Sequence, residues 1–127
     1  MKRDYSQSYF PPAPLLQVRF GKPEDMRFTG SVEGIVDTGA DITIAPIQLM
    51  REIGATIGSL QTIRSQWGEA RTVKLYLADV EVEGINFPGI WVVGDERGKE
   101  VVLGRNLLNR MRILLNGLSE KIEIVSY

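Results

Sequence analysis

The run GIVDTGADITIA, residues 34–45, carries two carboxylates, Asp37 and Asp41, among Ile35, Val36, Ile42 and Ile44. The apolar residues read as a buried β-segment. A buried carboxylate is costly there and must protonate or find a partner. Thr38 and Gly39 follow the first aspartate. Gly39 permits a tight backbone and the close approach of a ligand's main chain. Thr38 supplies a hydroxyl that can tie loops together. One aspartate is a poor catalyst of amide hydrolysis, but two that share a proton are a good one. At ~3 Å separation they cannot both ionise easily, so one serves as acid and the other as base. The base takes a proton from water, and the acid protonates the scissile carbonyl oxygen. The chain has a single Asp-Thr-Gly. A two-fold homodimer would supply the second, because a residue near a C2 axis meets its own copy.

The composition suits that chemistry. Histidine and cysteine are both absent. Their absence excludes Ser-His-Asp and Cys-His hydrolases, disulfides and the usual His- or Cys-bearing zinc sites. An enzyme built from this chain must use carboxylates, hydroxyls, lysines or a bound cofactor. A length of 127 residues suits one domain around one core. A net charge of -1 offers no electrostatic case for nucleic acid or a bilayer surface. No apolar run approaches the ~20 residues that span a membrane. The first residues, MKRDYSQSYFPPAP, lack the apolar stretch of a secretory signal. A cytoplasmic location is therefore favoured.

The elements around the motif are mostly extended. Residues 1–14 contain Pro11, Pro12 and Pro14 and little to bury, so a flexible tail is expected, with one domain over 15–127. LLQVRF alternates and reads as a strand, GKPED as a turn, and MRFTGSVEG as extended chain leading into the aspartate motif. ITIA continues as a short strand. PIQLMREIG reads as a short helix with Pro46 in its first turn and Gly54 as its stop. A long hairpin follows: residues 59–66 lead up, Trp67-Gly68-Glu69 form a tip, and residues 71–82 return. Val73, Leu75 and Leu77 alternate, then Val80 and Val82 alternate in the opposite phase. That slip predicts a bulge near Ala78-Asp79. IWVVG and VVLG read as strands flanking the DERGK loop, RNLLNRM as a short helix, and RILLNGLSEKIEIV as two strands around an Asn116-Gly117 turn. The fold class is all-β: a closed or partly closed barrel of short strands with a flap hairpin and one or two short helices.

These residues resemble the retropepsin family, the single-domain aspartic proteases of retroviruses and their cellular relatives. GIVDTGADITI is similar to the family's active-site loop. Some 65 residues later, VVLGRNLL is similar to its second signature, an apolar strand leading to G-R-[ND]-L-L before a helix. The resemblance spans roughly Leu15 to Asn116, and the hairpin occupies the place of the family's flap.

The resemblance implies an aspartic endopeptidase active as a homodimer, with Asp37 as the catalytic aspartate. Thr38 would bond across the dimer beneath the dyad, and Gly39 would lie along the substrate backbone. Asp41 would pair with Arg105 in a partly buried structural pair and contribute to the substrate cleft. Ala40 stands where pepsin-like relatives often carry Ser or Thr, whose hydroxyl could donate to the catalytic carboxylate. Gln66, Trp67 and Gly68 at the flap tip would contact substrate, with a core position for Trp67 as the alternative. The implied partners are a second copy and a polypeptide substrate, with no cofactor, metal, nucleic acid or membrane, and a virion is an alternative location. The chain departs from viral members in three places: a flap tip that is not glycine-rich, the extra strand LSEKIEIV after the helix, and the added N-terminal residues. Viral members build their dimer sheet from terminal strands, so these last two additions bear on how a dimer here would form. Two other readings remain. One is a non-catalytic dimeric peptide-binding module. The other is a phosphate-binding D-x-G loop of a nucleotide enzyme, for which the chain is short and lacks further phosphate loops.

Overall fold

A computed structural model describes residues 1–64 and 67–127. Gln66, expected at the flap tip, lies outside the described residues. The chain order is β1 (Lys2–Asp4), β2 (Leu15–Gly21), β3 (Val32–Val36), β4 (Thr43–Pro46), α1 (Ile47–Glu52), β5 (Thr56–Arg64), β6 (Ala70–Val82), β7 (Ile85–Asp95), β8 (Val101–Leu103), α2 (Arg105–Leu108), β9 (Arg112–Asn116) and β10 (Lys121–Ser126).

Strands β2-β3-β8-β4-β7-β6-β5 form one sheet in that order, and β2 also pairs with β6. That pairing sets Val18 opposite Val82 and Phe20 opposite Val80. It closes six strands into a barrel and leaves β5 outside as the second arm of the hairpin. Closure removes the open edges that an exposed sheet would carry. The barrel is filled by Leu16, Phe20, Val80, Val82, Val92, Leu103 and Leu107, all fully or almost fully buried. Alternation along β2 and β6 sends Leu16, Phe20, Val80 and Val82 inward. The expected bulge is present, as the β6–β7 register shifts between Ala78 and Val80. Asp79 at that point accepts the amide of Gly89 at 3.0 Å.

Helix α1 starts after Pro46 and stops at Gly54, whose φ of +65° suits a residue without Cβ. Both helices are short. None of the described helices is long and apolar enough to cross a membrane.

Three elements differ from expectation. Residues 2–4 are not a free tail: β1 pairs with β10, and Arg3 Nε and Nη2 donate to Glu83 at 2.9 and 2.8 Å. Strand β7 begins at Ile85, five residues before the IWVVG run: Pro88 and Gly89 interrupt its apolar pattern and its register at the bulge, but Ile85, Asn86 and Phe87 before them still pair with β6. The β9–β10 turn spans residues 117–120 rather than two residues. Asn116 Oδ1 accepts the Ser119 amide at 3.2 Å, and Glu120 takes a φ of 53°. Strands β1-β10-β9 thereby form a second, three-stranded sheet.

Candidate active site

Strands β3 and β4 flank β8 on its two sides. The chain between them, residues 37–42, must therefore cross the end of β8. The Asp37 amide donates to the carbonyl of Leu103, the last residue of β8, at 3.1 Å. The Ala40 amide donates back to the Asp37 carbonyl at 3.2 Å, closing a tight turn over Thr38 and Gly39. The Gly39 amide donates to Asp37 Oδ1 at 2.8 Å, which aims the carboxylate. Asp37, Thr38 and Gly39 are all exposed in the single chain.

Helix α2 grips this loop from its far side. The Arg105 amide donates to the Ala40 carbonyl at 2.8 Å, and the Asn106 amide to the Asp41 carbonyl at 3.2 Å. Arg105 Nη1 donates to the Thr38 carbonyl at 2.7 Å, while Nη2 donates to the Asp41 carboxylate. The pair between Asp41 and Arg105 is open to solvent, with the Asp41 side chain 80% exposed. Among the described residues nothing covers Asp41, so within one chain the pair is more open than the partly buried one expected from the sequence. Gly104 has to be glycine, as a Cβ there would lie 2.5 Å from the Ile42 carbonyl carbon.

Thr43 and Asn106 form a hub that the motif reading passed over. Thr43 is fully buried, and its amide and hydroxyl both donate to Asn106 Oδ1 at 2.9 Å. The same hydroxyl accepts the Gly104 amide at 3.1 Å, and Asn106 Nδ2 donates to the Trp91 carbonyl at 2.8 Å. Strand β4, helix α2 and strand β7 are thus joined at one point. The signal available in the sequence was the asparagine of the GRN triplet.

The hairpin β5–β6 projects from the barrel. Its tip holds Trp67, 82% exposed and so not a core residue, and Gly68 at a φ of +82°. A small apolar cluster of Val73, Leu75 and Val93 packs with Ile42, Ile44 and Ile63. Ile42 borders the aspartate loop and Ile63 belongs to the hairpin, so one apolar patch connects the two. Among the described residues no group of three or more acidic, histidine or cysteine side chains is gathered as metal ligands.

Solved structures share this fold. A retropepsin-like aspartic protease from Rickettsia conorii superposes with a TM-score of 0.67 at 15% identity, covering 98% of this chain and 88% of that one. The Simian Foamy Virus (mac) protease gives 0.55 at 15% identity, covering 76% and 92%. The retroviral protease-like domain of Ddi1 from Leishmania major gives 0.52 at 16% identity, covering 89% and 90%. No curated protein sequence matches the chain. Residues 29–110, which hold the whole aspartate loop, the hairpin and α2, match the family described as gag-polyprotein putative aspartyl protease, and the chain belongs to that retropepsin-like family.

Proposed function

We propose that the protein is an aspartic endopeptidase, active as a homodimer, with one Asp37 from each chain forming the catalytic dyad. The observation that carries this reading is the treatment of Asp37. Its loop is braced by Leu103, Arg105 and Asn106, yet its carboxylate is left exposed with one oriented hydrogen bond. A chain with one such aspartate needs a second copy to complete a proton-sharing pair. Family membership supports the same chemistry.

In the reaction, the ionised Asp37 takes a proton from water as the water oxygen bonds to the scissile carbonyl carbon. The protonated Asp37 gives its proton to the carbonyl oxygen. The tetrahedral intermediate then collapses: the C–N bond breaks, the nitrogen leaves with the proton that the first aspartate took from water, and the second aspartate takes a proton back from one of the intermediate's hydroxyls as the carboxyl product forms, which restores the singly protonated dyad. Thr38 carries the backbone carbonyl held by Arg105, and its hydroxyl is assigned to the contact between chains. Gly39 and Asp41 line the substrate main chain. The hairpin, with Trp67 and Gly68 at its tip, covers the substrate from above, and the half-buried Ile42 and Ile44, backed by the buried Val93, accept an apolar substrate side chain.

The test is incubation with a diverse peptide library, with and without a pepstatin-type inhibitor, followed by sequencing of the products. Inhibitor-sensitive cleavage that disappears in Asp37→Asn supports the proposal. Peptide binding without cleavage would instead favour a non-catalytic binding module.

A further inference from the structure

Strands β5, β6 and β7 carry unlike side chains on their two faces. Val73 and Leu75 pack with Ile42 and Ile44, in the patch beside the aspartate loop. Alternation along β6 sends Thr72 and Lys74 to the opposite face. There Leu60, Lys74 and Gly94 are register partners across the three strands. Gly94 leaves a dip in that face, and a Cβ on it would lie 2.6 Å from the Tyr76 ring. Glu96 and Arg97, after the end of β7, wall the dip into a cavity of about 240 Å³. Its charge is uneven. Arg71 also borders it, but Asp95 holds that guanidinium at 3.4 Å and accepts the Arg97 amide at 2.9 Å. Among the described residues, neither the Lys74 nor the Arg97 side chain has an ion-pair partner. Glu96 is the one acid in the lining. Leu60, 63% exposed on the outermost strand, adds an apolar shelf.

We propose that this cavity is a second polypeptide-binding site, on the back of the hairpin, which takes the Asp or Glu side chain of an extended segment whose apolar neighbour rests on Leu60. Two unpaired cations at one cavity favour an anion, and a carboxylate has two oxygens to share between Lys74 and Arg97. Size selects a side chain over a cofactor, because the volume falls below the roughly 300–1,000 Å³ of small-molecule sites. The site is separate from the proposed catalytic cleft, since the patch beside Asp37 lies on the other face of the same strands. A segment seated there bridges the hairpin, through Lys74, to the chain after β7, through Arg97. In a protease it is a part of the substrate remote from the cut bond. That role rests on the protease reading above, whereas the binding does not. Cleavage of a short peptide without acidic residues does not report on this site.

The test uses two fluorescent peptides that differ only in a central pair, Glu-Glu or Gln-Gln, each beside a leucine. Binding is read by fluorescence anisotropy on the full chain, as wild type and as Asp37→Asn, the second so that no probe is consumed. The Glu peptide should bind about tenfold more tightly than the Gln peptide, and added salt should narrow the gap. Lys74→Gln and Arg97→Gln should each weaken Glu-peptide binding about three- to tenfold. Lys74→Arg should keep it. Glu96→Gln should strengthen it, because it removes the one acid in the lining. A merely structural role would not produce that opposite sign. Circular dichroism checks folding, and the exposed positions 96 and 97 decide the outcome if Lys74→Gln does not fold. Equal affinity for the two peptides, unchanged binding in Arg97→Gln, or a Glu96→Gln protein that binds no more tightly would each overturn the site. So would inorganic phosphate that competes as strongly as the Glu peptide. Wild-type protein that binds the Glu peptide yet cleaves nothing would overturn the protease reading and leave the site standing. Peptide cleavage without any preference for Glu over Gln in binding would do the reverse.

Discussion

Arg105 Nη1 donates to the carbonyl oxygen of Thr38 at 2.7 Å, one residue beyond the catalytic candidate. The contact is to backbone, so it positions the loop independently of the charge on Asp41. The neighbouring ion pair is open to solvent and contributes only about 0–1 kcal/mol. Arg105→Ala should therefore reduce kcat/KM strongly while lowering stability modestly. Asp41→Asn should change stability by no more than about 1 kcal/mol. Arg105→Lys should rescue poorly, since one ammonium cannot reproduce the two-pronged contact. Urea unfolding and peptide kinetics of the three variants beside Arg97→Ala check this. Equal, small kinetic effects for Arg105→Ala and Arg97→Ala would refute it.

Asp37→Asn and Asp37→Ala should each abolish cleavage and leave the fold intact. The carboxylate is exposed and makes one hydrogen bond, to the Gly39 amide, so little folding energy depends on it. Peptide turnover and thermal unfolding of purified variants are the measurements. Retained turnover in Asp37→Ala would end the aspartic-protease proposal.

Thr43→Val should be the more damaging change for stability. It keeps the shape of a fully buried side chain but removes a hydroxyl that bonds Asn106 and Gly104. Asn106 Oδ1 keeps the Thr43 amide, but the buried Gly104 amide loses its acceptor, which costs about 1–3 kcal/mol. Chemical denaturation reads the loss directly, and a change within error would show that the hub is not an energetic anchor.

Ala40→Ser adds a hydroxyl beside the catalytic loop. If it donates to the dyad, it favours the ionised carboxylate, and a limb of the pH–rate profile should move toward acid by up to about one unit. Measuring kcat/KM against pH on one peptide for both proteins decides it. Superimposable profiles, or a shift toward alkali, would mean that position 40 does not address the dyad.

Asp95 gives a pH dependence of folding. Burial pushes its carboxyl upward, but the amides of Arg97 and Gly98 and the Arg71 guanidinium outweigh that and hold it below the usual carboxylate value. A lowered folded value means that the stabilisation is present above the unfolded value of about 3.9 and fades as pH falls through the folded one. Wild type should exceed Asp95→Asn in stability at pH 7, and the gap should close below about pH 4. A gap independent of pH would contradict the assignment.

Side-chain patterning in the sequence anticipates much of this structure. The phase slip at Ala78-Asp79 became the bulge, and Pro46 and Gly54 bound α1. The aspartate loop and the GRN triplet stand out because their residue types are unusual in apolar surroundings. Strand β1 was hidden because Lys-Arg-Asp has no apolar rhythm. It is held by main-chain pairing and by Glu83, eighty residues away. The start of β7 was hidden by Pro88 and Gly89. The exposure of Asp41 was unreadable for another reason: burial belongs to the assembled fold, and motif spacing carries no information about it.

Gly58 lies where an added Cβ would sit 2.2 Å from the Trp91 ring. Strand β5 therefore rides directly on a flat indole at the root of the hairpin, and Trp91 in turn is anchored to α2 through its carbonyl. The indole thus serves as a footing for the hairpin, and its position is set by the same helix that braces Asp37. A side chain at position 58 would force the strand and the indole apart, so the seating of the hairpin on the barrel depends on a missing Cβ.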